Sequence, residues 1–281
     1  MIILKYLVNM KNKPTFVIGD IQGCYSEFRR LLKIIDPMKK NKIFCVGDLV
    51  NRGPYSERVV DYVLNNKIKS VLGNHDLHMM AMILGVHKKN DNKHTLQKIL
   101  GKNKSIKIFE YFLKFPFAKL IVSNESKSLI THAGVLPSWS LNNVLSANEE
   151  LTEALKSDPE KFLSNMYSDR RKDISKSTNK RNRARFLVNV FTRMRFITKD
   201  NKLDLQTKVK TSSREKYKPW FVYEHRCLDD VDNIVFGHWA ALNGVTNHNF
   251  IRGVDLGCVW GGSLAAINLK DKSIITVESE L

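Results

Sequence analysis

Three times within the first 76 residues, a short β-branched or apolar run ends on a glycine followed by a polar side chain. Thr15–Ile18 runs into Gly19-Asp20, Ile43–Val46 into Gly47-Asp48, and Ser70–Leu72 into Gly73-Asn74. The intervals are 28 residues from Asp20 to Asp48 and 26 from Asp48 to Asn74. Between them, Tyr25–Ile35 and Tyr55–Leu64 space their apolar residues with helical periodicity. Each interval has the length of a strand–helix–strand unit, so the three strands are expected to be parallel neighbours in a buried sheet. The three polar residues then gather at its carboxyl edge, where open α/β folds bind ligands.

The middle of the chain is helical and more polar. Thr95–Phe115 has helical patterning, as does Glu149–Leu155, for which Ser146 and Glu149 form a candidate capping box. Asp158-Pro159 reads as the start of a further helix reaching about Tyr167. Asp169–Arg183 (DRRKDISKSTNKRNR) has almost no apolar residues and is expected to be an exposed loop. Strand patterns return at Asn233–Phe236, Phe250–Asp255, Leu264–Leu269 and Ser273–Val277. The economical organisation is one α/β catalytic domain over residues 14–281, with a helical, basic insertion at about 140–218 and an N-terminal extension at 1–13.

With 281 residues, 43% hydrophobic and 26% charged, the chain can bury a large core and falls in the globular range. No stretch approaches the roughly 20 apolar residues of a membrane span. The first ten residues are too short for a signal-peptide core and lack a small-residue cleavage site, and Met10 offers an alternative start. Four widely spaced cysteines (Cys24, Cys45, Cys227, Cys258) form no CxxC pair and read as reduced thiols. A cytoplasmic location is expected. The net charge is +18, and Arg170–Lys218 alone holds 17 Lys and Arg against 4 Asp and Glu. Such a field favours polyanionic partners without choosing among them.

Five segments carry the chemistry: GDIQG (19–23), GDLVNRG (47–53), GNHD (73–76), THAG (131–134) and GHW (237–239). Each follows an apolar run and presents Asp, Asn or His. Those donors without a thiolate cluster suit Mn²⁺, Fe, Co²⁺ or Zn²⁺ in a mixed oxygen and nitrogen shell. A glycine beside each lets the backbone turn sharply there.

In order and content these segments resemble the calcineurin-like metallophosphoesterases, in their phosphoprotein-phosphatase branch. Within it the chain is similar to the bacterial symmetrical diadenosine tetraphosphatases. The runs that carry this are GDLVNRGP, VLGNHDLH, THAGVLPSW, FTRMRF, KPWF, FGHWA and GVDLGCVWGG, spread over residues 15–262. The resemblance implies an α/β fold: a metallophosphoesterase β-sandwich flanked by helices. It also implies two divalent cations, Mn²⁺ foremost, with Co²⁺, Mg²⁺ or Fe as alternatives.

The resemblance assigns roles residue by residue. Asp48 bridges the two metals, Asp20 and the residue at position 22 serve the first, and Asn74, His132 and His238 the second. His75 protonates the leaving group and Arg52 captures a phosphate. Asn51, Asp76 and Asp255 support the shell from behind. Two positions depart from common patterns of the branch. Gln22 stands where a histidine is usual, so the first site is expected to be weaker and harder, offering an amide oxygen or water. Asn51 stands where protein phosphatases carry an aspartate that orients the acid histidine. Diadenosine tetraphosphatases also lack that aspartate, which narrows the resemblance but leaves His75 without an orienting partner.

A tetraphosphate needs more cations than Arg52. Arg193 and Arg195 lie two apart, so on a strand both would face one side. Lys218 is a candidate for a distal phosphate and Trp220 for base stacking. Ordinary core packing is the competing expectation for Trp139, Trp220, Trp239 and Trp260. His78, His87, His94, His225 and His248 read as surface or packing residues. The resemblance implies symmetric hydrolysis of diadenosine tetraphosphate to two ADP, with removal of related caps from RNA 5′ ends as a variant. The alternatives are a protein Ser/Thr phosphatase and an inactive nucleotide- or RNA-binding module. A dinucleoside polyphosphate is the expected partner, with no membrane and no obligate protein.

Overall fold

The computed structural model describes residues 13–87, 95–100, 103–123, 126–166 and 179–281. The opening alternation is realised as β1 (Thr15–Ile18), α1 (Tyr25–Ile35), β2 (Lys42–Cys45), α2 (Ser56–Asn65), β3 (Lys69–Ser70) and α3 (Asn74–Ile83). β2 pairs in parallel with both β1 and β3, and Ile18 aligns with Cys45 while Cys45 aligns with Ser70. The three strands therefore end level, and their Gly-polar pairs emerge on one edge.

Next come α4 (Gln97–Leu100), α5 (Ser105–Phe112), β4 (Ala118–Val122) and β5 (Lys127–Thr131). Three helices follow: α6 (Leu141–Ser157), α7 (Pro159–Met166) and α8 (Lys180–Arg193). The expected capping box at Ser146 and Glu149 is wrong, because both lie inside α6. The cap is six residues earlier, where Ser140 Oγ accepts from Asn143 N. Six apolar residues of α6, from Leu141 to Leu155, are buried, and their periodicity extends the helix past the internal serine. α7 starts as expected, with Asp158 Oδ1 accepting from Lys161 N at 3.1 Å. The polar Asp169–Arg183 stretch lies outside the described residues up to position 178. Its last residues are helical, capped where Asn179 accepts from Asn182 N.

β6 (Phe196–Ile197), β7 (Leu203–Asp204) and β8 (Lys218–Pro219) form a small sheet in the order β7-β6-β8. The chain closes with β9 (Asn233–Phe236), β10 (Ile251–Gly253), β11 (Asp255–Leu256), β12 (Ser263–Asn268) and β13 (Ile274–Glu278).

Two larger sheets carry the fold. One runs β11-β12-β1-β2-β3, with β13 on β12, and the other β10-β9-β5-β4. Strand alternation explains how they stack. Val17, Phe44, Val46 and Val71 from the first sheet share one buried cluster with Ile121, Ile130 and Val235 from the second. Phe16 and Ile18 belong instead to the larger cluster that includes Phe28, Leu31 and Ile35 of α1. Each such side chain, fully buried, contributes about 1.5–3 kcal/mol. This is a β-sandwich with helices outside. In the second sheet β5 and β9 are parallel, so His132 and His238 follow strands that end at the same side. No helix among the described residues is long and apolar enough to cross a membrane.

Candidate active site

The loops after β1, β2, β5 and β9, with the first turn of α3, converge on Asp48. His132 Nε2 lies 3.4 Å from Asp48 Oδ2 and 3.3 Å from Asn74 Oδ1. Ligand atoms of Asp48, His132 and His238 all fall within 4.8 Å of one another. Asp20 joins through its Oδ1, which accepts from His238 N at 3.0 Å. Gln22 is adjacent, with its Nε2 3.4 Å from Asp48 Oδ2. Placed so, Gln22 donates to the bridging carboxylate, and offering its oxygen to a cation requires the amide to turn over.

The donor set fits divalent cations by two observations. Asp20 Oδ2 and His238 Nε2 are buried atoms with no hydrogen-bond partner, which is costly unless something else engages them. The imidazoles are also presented as ligands. His132 Nδ1 donates to Val46 O at 2.9 Å, which aims Nε2 at Asp48 as the atom a cation would take in place of a proton. Burial and the nearby Arg195 hold the His238 imidazole well below its ordinary range, hence neutral.

Electrostatics point the same way. Burial and the Asp255 carboxylate raise Asp20 well above the usual carboxylate range. Burial likewise raises Asp255 to about 6, and Asp76 to about 7 with help from Asp48. Burial disfavours charge on Asp48 too, but the His132 imidazolium and the hydrogen bond from His75 N override it and hold Asp48 at about 2. Burial lowers and the carboxylates raise His132, to about 9 on balance. Crowded buried carboxylates are the field a cation neutralises.

The site is held by backbone geometry that most side chains avoid. Gln22, Asp48, Asn51, Arg52 and His238 all have positive φ, between 44° and 78°. Strain of about 1–3 kcal/mol per residue persists only where the surroundings enforce it. Asp76 does much of that enforcing. Its Oδ2 accepts from Asp48 N (2.8 Å) and Gly73 N (3.0 Å), and its Oδ1 from Leu49 N (2.9 Å). Glycine permits the close approaches: a Cβ on Gly73 would lie 2.1 Å from Asp48 Oδ1.

His75 does have a partner: its Nδ1 is 2.9 Å from Asn51 Nδ2. The Asn51 oxygen is committed to Arg52 N at 2.8 Å, so the amide donates to Nδ1. The proton of the neutral ring then sits on Nε2, 3.9 Å from Asp48 Oδ2. Asp255 Oδ1 accepts from Gly257 N at 3.0 Å and holds that turn.

A cleft of about 580 Å³ opens over these residues, lined in part by Gln22, Asp48, Asn74, His75 and Asp255. Arg52, Arg193, Arg195 and Lys208 bring positive charge to it. The strand expected for the arginine pair is absent: Arg193 ends α8 and Arg195 lies in the extended link to β6. Both nonetheless line the cleft. Arg195 also donates to His238 O at 3.0 Å. Burial lowers its guanidinium to about 10 against the pull of Asp255, so it stays charged at neutral pH.

One substrate-binding expectation fails. Trp220 is fully buried and cannot stack a base. Its ring packs on Phe236 and His225 and against Gly134, where a Cβ would meet it at 2.6 Å. Anchoring Trp220 there leaves Lys218 exposed and outside the cleft lining. The aromatic at the cleft is Trp260, 66% exposed, with the Arg52 guanidinium 5.8 Å from its ring centre. Core packing, the competing expectation for all four tryptophans, holds for Trp220 and Trp239 and fails for Trp260. Its flanking Gly257 and Gly261, both left-handed, were the available signal. Lys208 gave none, being one lysine among many.

A buried ligand cluster at the carboxyl ends of strands from two stacked sheets defines a metallophosphoesterase. The chain belongs to the calcineurin-like phosphoesterase family, whose model matches residues 13–242. Its relatives include the protein named symmetrical bis(5′-nucleosyl)-tetraphosphatase in Coxiella burnetii (strain RSA 331 / Henzerling II), 36% identical, covering 94% of this chain and 91% of that one. Proteins of the same name occur in Vibrio parahaemolyticus (34%, 94% and 98%) and Legionella pneumophila (36%, 94% and 96%). Among solved structures, a provisionally named diadenosine tetraphosphatase superposes with TM-score 0.64 at 22% identity, covering 98% of both chains. A protein serine/threonine phosphatase from Saccharomyces cerevisiae gives 0.52 at 14%, covering 98% of this chain and 84% of that one. The two structures share the fold.

Proposed function

We propose that the protein hydrolyses dinucleoside tetraphosphates symmetrically, diadenosine tetraphosphate yielding two ADP. The observation that carries the reading is that the ligand cluster opens into a cleft with four cationic side chains and an exposed tryptophan. A single phosphate ester needs less; a phosphate chain with a base at its end needs all of it. The relatives' name supports symmetric cleavage.

Asp20, Asp48, Asn74, His132 and His238 would hold two divalent cations, with Gln22 beside the first. The oxygen and imidazole donors suit Mn²⁺, with Co²⁺, Mg²⁺ or Fe as alternatives. When bound, such a pair acidifies a water and neutralises phosphoryl charge. Arg52, Arg193 and Arg195 orient the phosphate chain, and bidentate guanidinium contacts fix its direction. Trp260 provides a face for an adenine beside Arg52. His75 Nε2–H donates to the oxygen leaving with ADP, and Asn51 keeps that proton on Nε2. Asp76 and Asp255 hold the loops. The positive charge of residues 170–218 supports extension of the same chemistry to dinucleoside-tetraphosphate-like caps on RNA 5′ ends.

Product analysis tests the proposal. Purified protein with Mn²⁺ and diadenosine tetraphosphate should give ADP as sole product. ATP plus AMP would refute symmetric cleavage, and release of phosphate from a phosphopeptide alone would favour a protein phosphatase.

A further inference from the structure

A second basic cleft, of about 630 Å³, shares no lining residue with the catalytic one. It sits where β3, the end strand of one sheet, and β4, the end strand of the other, come together, with α5 over them. Five lysines from separate parts of the chain ring it: Lys67 after α2, Lys69 on β3, Lys107 and Lys114 from α5 and its end, and Lys119 on β4. Glu110 is the one acidic residue in the lining. Lys107, Glu110, Tyr111 and Lys114 fall at i, i+3, i+4 and i+7, so α5 turns one face to the cleft. The floor is apolar, made by Phe44, Tyr111 and Phe115 among others.

Five lysines face a single carboxylate in the lining. No ion pair among the described residues engages any of the five lysines. Lys119 is half-buried, and burial with the neighbouring Lys69 pushes its amine below the ordinary lysine range. Like charges gathered round one cleft raise the local positive potential and so favour a bound anion. The volume is within the range of about 300–1,000 Å³ of small-molecule sites, and lysine binds phosphate as a point charge.

We propose that this cleft binds a linear polyphosphate chain, free or as the tail of a nucleoside triphosphate, at a site separate from the catalytic centre. The excess of four positive charges in the lining matches a triphosphate better than a single phosphate. The apolar floor can seat a base if one is attached.

Calorimetric titration of the full chain in EDTA, with inorganic tripolyphosphate and with ATP, tests this. The protein should show two binding events. Lys69→Gln/Lys107→Gln/Lys119→Gln should weaken one at least tenfold while leaving dinucleotide hydrolysis unchanged. The exposed pair Lys67→Gln/Lys107→Gln should weaken the same event if the triple variant misfolds. ATP at least tenfold tighter than tripolyphosphate at this site assigns the nucleotide; equal affinity assigns the phosphate chain alone. Either supports the proposal. It is overturned if the wild type shows no second event or the cleft variants bind like wild type. An equal loss from Lys33→Gln/Lys40→Gln/Lys156→Gln, which removes the same charge elsewhere, also overturns it.

Discussion

At the residue scale, the informative position is Asn51. Its amide donates to His75 Nδ1, which favours the neutral ring with its proton on Nε2 and opposes an imidazolium. That suits an anhydride, because ADP departs as a stabilised phosphate anion and needs only a hydrogen bond. An ester releases an alkoxide and needs a proton, a contribution of about 10²–10⁴ from a general acid. Asn51→Asp should therefore raise turnover of an alkyl phosphomonoester relative to diadenosine tetraphosphate, by about tenfold. Steady-state rates on both substrates check it, and an unchanged ratio would refute the role. A second residue bears on stability. Burial holds the His225 imidazole down at about 4, the bond to the Trp220 carbonyl opposing. A depressed value favours the folded state above the unfolded one of about 6.5 and is lost as pH falls through 4. By pH 4 the loss is about 3 kcal/mol. His225→Gln, which keeps a donor for that carbonyl, should lose that much less between pH 7 and 4 in urea denaturation.

At the element scale, the site depends on strand ends meeting without room to spare. A Cβ on Gly237 would lie 2.0 Å from Asp20 Oδ1, the atom that accepts from His238 N. Gly237→Ala should push Asp20 aside and lower Mn²⁺ affinity by about 10- to 100-fold, the usual cost of disturbing a ligand's support. Far-ultraviolet dichroism should stay unchanged while the Mn²⁺ dependence of activity shifts; an unshifted curve would contradict the packing argument. The early strands and helices were legible because period and punctuation agree, as in TFVIGD and YSEFRRLLKII. α6 was misread because Ser146 and Glu149 satisfy a local capping pattern, whereas burial of Leu141, Val144 and Leu145 decides where the helix starts. The helical end of the arginine segment was hidden for a like reason: Arg193 belongs to α8 because Phe186–Thr192 is buried.

At the scale of the whole molecule, the net charge of +18 should steer a polyanionic substrate. Raising NaCl from about 50 to 300 mM should cut kcat/KM for diadenosine tetraphosphate by about three- to tenfold and leave kcat nearly constant, since salt screens long-range attraction. A flat kcat/KM would show that the basic surface takes no part in capture. The sequence by itself determined the three parallel strands, the helices between them and the donors at their ends, because glycine punctuation and periodicity are local properties. It also supplied the family, through motifs in fixed order. Only the tertiary structure decided which side chains share a cleft. Trp220 and Trp260 are the same residue type, each within one of the motifs that carry the family resemblance. One is sealed beneath the Gly134 turn while the other stands at the cleft rim, because exposure is set by what the rest of the chain packs against. The partner of His75 was likewise invisible in sequence: Asn51 and His75 are 24 residues apart, and the 2.9 Å between them exists only once β2 and α3 have docked.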